Sequence, residues 1–141
     1  MIHGAILVLF LIALCPCQSF ARVCMVHTGD DLNAAVTRCA GVKESNMVVV
    51  ATNTRVSLNK PLDISSGLRL TCEYGAVIEG AGFDSIISIS NASGVQIDGC
   101  TIDGKQSTQY GVRIPTGTNP VLSRLKLGGT IRYTRLRFFV A

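Results

Sequence analysis

The 141-residue chain has nine acidic residues, and none lies beyond residue 103. Three of them sit between an isoleucine and a glycine, in Ile78-Glu79-Gly80, Ile97-Asp98-Gly99 and Ile102-Asp103-Gly104. Paired carboxylates are the equipment of glycoside hydrolysis. One must be protonated, and the other must activate water from about 6.5–9.5 Å away in an inverting enzyme. Glu79, Asp98 and Asp103 are therefore the candidate catalytic residues. Asp30-Asp31 is an adjacent acidic pair, but it opens a helical pattern, where aspartates cap the helix and meet its positive end. The chain has two histidines, which excludes a histidine-rich metal site, and no C-x-x-C pair, which favours disulfides or buried thiols over a structural zinc. The sequence has no acidic cluster suited to calcium and implies no metal and no cofactor.

The bases are distributed differently. Residues 22–105 carry seven bases and nine acids, whereas residues 106–141 carry six bases, no acid and no histidine. Arg124, Lys126, Arg132, Arg135 and Arg137 dominate that tail. Its charge suits an acidic polysaccharide, with Arg124 and Lys126 as candidate substrate-binding residues. Nucleic acid is disfavoured, because no recognition motif and no series of aromatic stacking platforms accompanies the charge.

The amino end reads as an export signal. Residues 4–14 are an apolar run too short to span a bilayer, which takes about 20 residues. Pro16 breaks the run, and Ser19-Phe20-Ala21 offers a small-x-small cleavage pattern. Cleavage after Ala21 predicts a secreted product, extracellular or in a cell wall, with no membrane association once the signal is removed. The cleaved segment takes Cys15 and Cys17 with it. Cys24, Cys39, Cys72 and Cys100 remain, an even number in an oxidising compartment. Four cysteines allow three pairings. Cys39 lies on the inward stripe of the helix with Cys24 just upstream, which favours Cys24–Cys39. Cys72 and Cys100 then either bond across neighbouring coils or bury side by side. Asn91-Ala92-Ser93 is an N-glycosylation sequon at Asn91.

These residues must be positioned by one short helix and many short strands. Leu32, Ala35, Val36 and Cys39 recur at helical spacing, which predicts a helix over 30–40, capped by Thr28 or Asp30 and stopped at Gly41. Strand-like runs follow over 47–51, 55–58, 62–64, 68–72, 76–78, 86–89, 95–97, 101–102 and 111–114. Their apolar residues alternate with a period of two, and no helix of crossover length separates them. Ser66-Gly67-Leu68-Arg69-Leu70 returns 27 residues later as Ser93-Gly94-Val95-Gln96-Ile97. Val77-Ile78-Glu79-Gly80 returns 24 residues later as Thr101-Ile102-Asp103-Gly104. Such near-periods suit the coils of a solenoid, with Gly67, Gly80, Gly94, Gly99 and Gly104 at tight corners. The competing arrangement is an antiparallel sandwich or barrel. In the solenoid frame Glu79 and Asp103 stack on neighbouring coils about 5 Å apart. That is close enough to raise one pKa but short for an inverting pair, and bracing of turns by outward side chains is the stronger reading of both.

The segment from Thr28 to Ile114 resembles the start of a pectin-lyase-like right-handed β-helix, closest to the polygalacturonase-like glycoside hydrolases of family 28. Thr28-Gly29-Asp30-Asp31-Leu32-Asn33-Ala34-Ala35 with Cys39 is similar to that family's capping-helix segment. Residues 48–58 resemble its first coil, with Ala51-Thr52-Asn53 in place of the usual proline-glycine turn. Val95-Gln96-Ile97-Asp98-Gly99 and Thr101-Ile102-Asp103-Gly104 resemble its isoleucine-aspartate-glycine coil. The resemblance implies hydrolysis of galacturonan, the acidic backbone of pectin. The family's Asn-Thr-Asp, Asp-Asp and Gly-His-Gly motifs lie beyond that coil, where residues 106–141 hold no Asp, Glu or His. Arg124-Leu125-Lys126 matches the family's Arg-x-Lys pattern without those acidic partners.

The sequence thus predicts an all-β fold, a right-handed parallel β-helix of few coils with a short amino-terminal capping helix. Residues 1–21 form the signal, 22–46 the cap and 47–114 the coils. Residues 115–141 form a basic tail, read as a truncated or divergent coil. The expected function is that of a secreted polygalacturonase-like protein or fragment lacking a complete catalytic site of its own. The alternative is a non-catalytic carbohydrate-binding or structural β-helix.

Overall fold

The computed structural model describes residues 23–40, 47–64, 67–90, 93–114 and 118–130. The signal reading, the sequon Asn91, the helix stop Gly41, and Arg132, Arg135 and Arg137 lie outside the described residues.

Strands β1 (Val23–Val26), β2 (Met47–Val50), β5 (Arg69–Cys72), β8 (Gln96–Asp98) and β11 (Val121–Ser123) form one sheet in that order. A second sheet stacks β3 (Arg55–Ser57), β6 (Val77–Glu79), β9 (Thr101–Thr108) and β12 (Lys126–Thr130). A third stacks β4 (Leu62–Ile64), β7 (Ser85–Ile89) and β10 (Tyr110–Arg113). Every pairing is parallel, and the chain visits the three sheets in turn before returning to the first. This is a parallel β-helix, and the antiparallel alternative is excluded.

The period-two pattern fixes which side chains point inward. Val48, Leu70, Ile97 and Leu122 are register partners in the first sheet. Val56, Ile78, Ile102 and Leu127 line up in the second, and Leu62, Ile87 and Val112 in the third. All are buried except Leu122 and Leu127, which are partly buried on the last described coil. Each fully buried side chain of this size contributes about 1.5–3 kcal/mol. These stacked ladders, more than any single strand, hold runs of three to five residues in place. The repeats read from sequence reappear as register: Arg69 pairs with Gln96, and Glu79 with Asp103.

The corner between the first and second sheets needs a left-handed residue in each coil. Asn53, Gly75, Gly99 and Arg124 supply it, with φ of 53°, 73°, 73° and 49°. Asparagine visits this region more readily than most side chains, which explains how Ala51-Thr52-Asn53 replaces a glycine turn. Of the five glycines expected at corners, Gly94 and Gly99 take positive φ, while Gly67, Gly80 and Gly104 do not. Gly80 is there for close approach, since a Cβ would come within 2.6 Å of the Phe83 ring.

Helix α1 (Leu32–Ala40) buries Leu32, Ala35, Val36 and Cys39 against β1, β2 and β4. It starts two residues later than the periodicity suggests. The cap is Asp31, not Thr28 or Asp30. Asp31 Oδ1 accepts a hydrogen bond from the Ala34 amide at 3.1 Å, the geometry of a residue just before the first turn. Asp30 instead turns back to accept from the His27 amide at 2.8 Å. Disulfide Cys24–Cys39 straps α1 to β1, and Cys72–Cys100 joins neighbouring coils, with Cα separations of 6.4 and 4.8 Å.

Three strands were not foreseen. β1 precedes the cap helix and starts the first sheet. β11 and β12 carry the stack beyond Ile114, so part of the expected basic tail is a further set of coil strands.

Candidate functional site

The candidate carboxylates fall into two clusters on the outside of the solenoid. Glu79 ends β6 and faces outward on the second sheet, with its side chain 13% exposed. Three groups converge on it. Lys105 Nζ lies 2.9 Å from Oε2, Ser57 Oγ donates to Oε1 at 2.7 Å, and Arg55 Nη1 donates to Oε2. Ser57 comes from the register partner one coil earlier. Lys105 arrives by a different route. The ladder between β9 and β12 slips, with Asp103 to Thr108 opposite only Gly128 to Thr130. The extra residues bulge outward, with Lys105 and Gln106 both left-handed at φ 51° and 57°. Asp103 Oδ1 secures the bulge by accepting from the Lys105 amide at 2.9 Å. The bulge returns the Lys105 ammonium to Glu79, with Asp103 Oδ2 3.7 Å away.

The hydrogen bond from Lys105, then those from Ser57 and Arg55, favour the ionised form of Glu79 and outweigh its partial desolvation. They lower its pKa from 4.5 to about 2. The same contact raises the pKa of Lys105. Stacking beside Asp103 therefore does not leave Glu79 protonated. Two bases neutralise the pair before its repulsion can act.

Asp98 forms the second cluster, on the first sheet. Arg124 holds it with Nε on Oδ1 at 2.9 Å and Nη2 on Oδ2, a two-pronged contact. Ser123, its register partner, donates to Oδ1 at 2.8 Å. Arg124 first and Ser123 second lower the Asp98 pKa from 3.8 to about 2. On the other side of Asp98 in the ladder, Thr71 Oγ1 is buried with no protein partner.

The structure thus places Glu79 and Asp103 together, puts Asp98 on a different sheet, and gives each cluster its own bases. Arg124, expected to touch substrate, is occupied by Asp98. Lys126 is exposed, and no described side chain engages it. Glu79 and Asp98 are both held ionised by their partners. This geometry suits charge pairing between coils and has no general acid poised across a water from a base. Sequence reasoning missed Arg55, Ser57, Ser123 and Lys105. The first three lie one coil away from their acids and could have been found from the repeat. Lys105 could not, because its position depends on the bulge.

Two clefts open elsewhere. One, of about 310 Å³, lies beside β10 and is lined by Tyr110 and the Asp84–Arg113 ion pair, whose N···O distance is 2.7 Å. The other, of about 690 Å³, lies between α1 and the corner joining β3 to β4. Among the described residues no three potential metal ligands cluster, and no helix is long and apolar enough to cross a membrane. Comparison of the chain with protein-family models, curated proteins and solved structures finds no match.

Proposed function

We propose that this chain is an exported, polygalacturonase-like β-helix that takes part in the handling of pectin-type acidic polysaccharide without hydrolysing it. The observation that carries the non-catalytic reading is the capture of Glu79 and Asp98 by Lys105 and Arg124, with both pKa values lowered to about 2. A carboxylate held that low is ionised at the pH of any extracellular setting and has no proton to give a leaving group. The polysaccharide link rests on the order of the sequence elements, a capping helix, a first coil and then the isoleucine-aspartate-glycine coil, together with the parallel coils themselves. The two disulfides support export, because such bonds persist in oxidising compartments.

In this reading the bases not engaged by carboxylates attract the polymer. Lys126 stands exposed on the second sheet, and the sequence places three more arginines after residue 130. Retention on immobilised polygalacturonate is the test. The protein should bind at low salt and elute as ionic strength rises past about 0.15 M, where the screening length falls to about 8 Å. Passage through the column at low salt would contradict the proposal.

A further inference from the structure

The larger cleft has the chemistry of a sugar-acid site, and it lies away from both carboxylate clusters. Its helical wall carries Asn33, Thr37 and Arg38, and its opposite wall carries Lys60 and Asp63, with Asp31 at the helix start. The volume, about 690 Å³, falls within the range of about 300–1,000 Å³ typical of small-molecule sites.

Four features combine in this cleft, the first of them shared by Lys126 elsewhere on the surface. Arg55, Lys105, Arg113 and Arg124 each face a carboxylate, whereas among the described residues Arg38 and Lys60 have no ion-pair partner. The two cations stand on separate elements facing one space. Among the described residues, each of the two carboxylates is held in place on one oxygen. Asp31 Oδ1 accepts from the Ala34 amide, and Asp63 Oδ1 accepts from Ser90 Oγ at 2.8 Å. Each leaves an oxygen for an outside donor. Thr37 donates its hydroxyl to the Asn33 carbonyl at 2.9 Å, which keeps its lone pairs available as acceptors.

Cations without partners ask for an anion, and anchored carboxylates ask for hydroxyl donors. A ligand offering both at sugar-ring spacing satisfies the whole lining. The named charges cancel, two acids against two bases, so the cleft does not recruit a polyanion by net charge. It selects by placement. We propose that this cleft binds one uronate unit of an oligosaccharide, its carboxylate between Arg38 and Lys60 and its hydroxyls on Asp31 and Asp63. The cleft chemistry specifies a carboxylate-bearing sugar; the choice of galacturonate rests on the pectin reading above.

The experiment is an NMR titration of the full secreted protein with a galacturonate trimer, a glucuronate-containing trimer and a neutral galactose trimer. Galacturonate should shift amide signals of 33–38, Lys60, Leu62 and Asp63, with the neutral trimer at least about tenfold weaker for want of the charged contacts. Replacing both cations (Arg38→Gln with Lys60→Gln) should weaken galacturonate binding by about tenfold or more. Both side chains are exposed, so the fold should persist, as an unchanged circular dichroism melt would verify. Tyr74→Ser, on an exposed side chain outside the cleft, should leave the titration unchanged. Binding of glucuronate but not galacturonate, lost in the double variant, would uphold the cleft and overturn the pectin reading. No shift with any trimer, or binding equal in the double variant, would overturn the cleft itself.

Discussion

Arg124 grips Asp98 across one coil from the left-handed corner position that Gly99 fills in the coil before. Glycine is the expected residue there, since an L side chain at positive φ costs about 1–2 kcal/mol. The two-pronged contact offsets part of that cost, because it requires the guanidinium to leave from this corner. Arg124 therefore reads as a clamp between coils rather than a free substrate contact.

A pair of variants separates the two contributions. Arg124→Gly removes the clamp and the strain together and should leave stability nearly unchanged. Arg124→Ala loses the contact and keeps the strained φ, and should be less stable than the glycine variant by about 1 kcal/mol. Urea unfolding of both proteins measures the difference. Equal loss in the two would mean that the corner carries no strain.

Acid should unfold the protein through the same carboxylates. Glu79 and Asp98 have folded pKa values of about 2, below their ordinary 4.5 and 3.8. As pH falls, the unfolded chain takes up these protons first, so stability falls with pH. The stabilisation should be fully present above pH 5 and should disappear progressively between about pH 4.5 and 2. Glu79→Gln should flatten that part of the profile. Thermal melts across pH 2–7 give the slope, and a wild-type profile flat to pH 2 would contradict the ion-pair account.

The core ladder makes a sharper demand. Ile97 is fully buried between Leu70 and Leu122. Ile97→Ala should cost about 2–5 kcal/mol, and Ile97→Val about 0.5–1.5 kcal/mol. Ile97→Asp should prevent folding, because the solenoid interior offers no partner for a charge. Secretion yield and denaturant midpoints rank the three variants.

Much of this fold was legible because a solenoid writes its third dimension into sequence as a period. Leu70 and Ile97 are neighbours in space because they are equivalent in the repeat, and nine strands and the proximity of Cys72 to Cys100 followed from that frame, while Cys24–Cys39 followed from the apolar stripe of the helix. The misses have physical causes. Val121–Ser123 and Lys126–Thr130 lack dense apolar alternation, since Leu122 and Leu127 are only partly buried on the last described coil and their neighbours are polar or glycine. Val23–Val26 is a strand because Met47–Val50 lies beside it, and nothing local marks it apart from a linker. At the candidate site, the stacking of Glu79 on Asp103 was visible in the repeat. Its neutralisation was not, because Lys105 reaches Glu79 only through two left-handed residues that break the period. The cleft between α1 and the β3–β4 corner was equally hidden, since Arg38 and Lys60 meet only once the helix caps the first coil.

The disulfides should differ in what they protect. Cys24–Cys39 closes a loop of 15 residues and Cys72–Cys100 one of 28, each worth about 3–4 kcal/mol through restriction of the unfolded chain. Replacing Cys24 and Cys39 by serine should loosen α1 and expose amides of 32–40 to hydrogen exchange while the coils stay protected. Replacing Cys72 and Cys100 should lower the melting temperature of the whole stack. Hydrogen exchange with mass spectrometry resolves the two patterns, and identical global loss in both variants would contradict the division.

The central claim, that Glu79 and Asp98 serve the fold and not hydrolysis, is tested most directly by incubating the purified secreted protein with polygalacturonate and measuring new reducing ends from pH 4 to 7. No release above the background of a Glu79→Gln, Asp98→Asn double variant is the predicted result. Robust release that either substitution abolishes would contradict it.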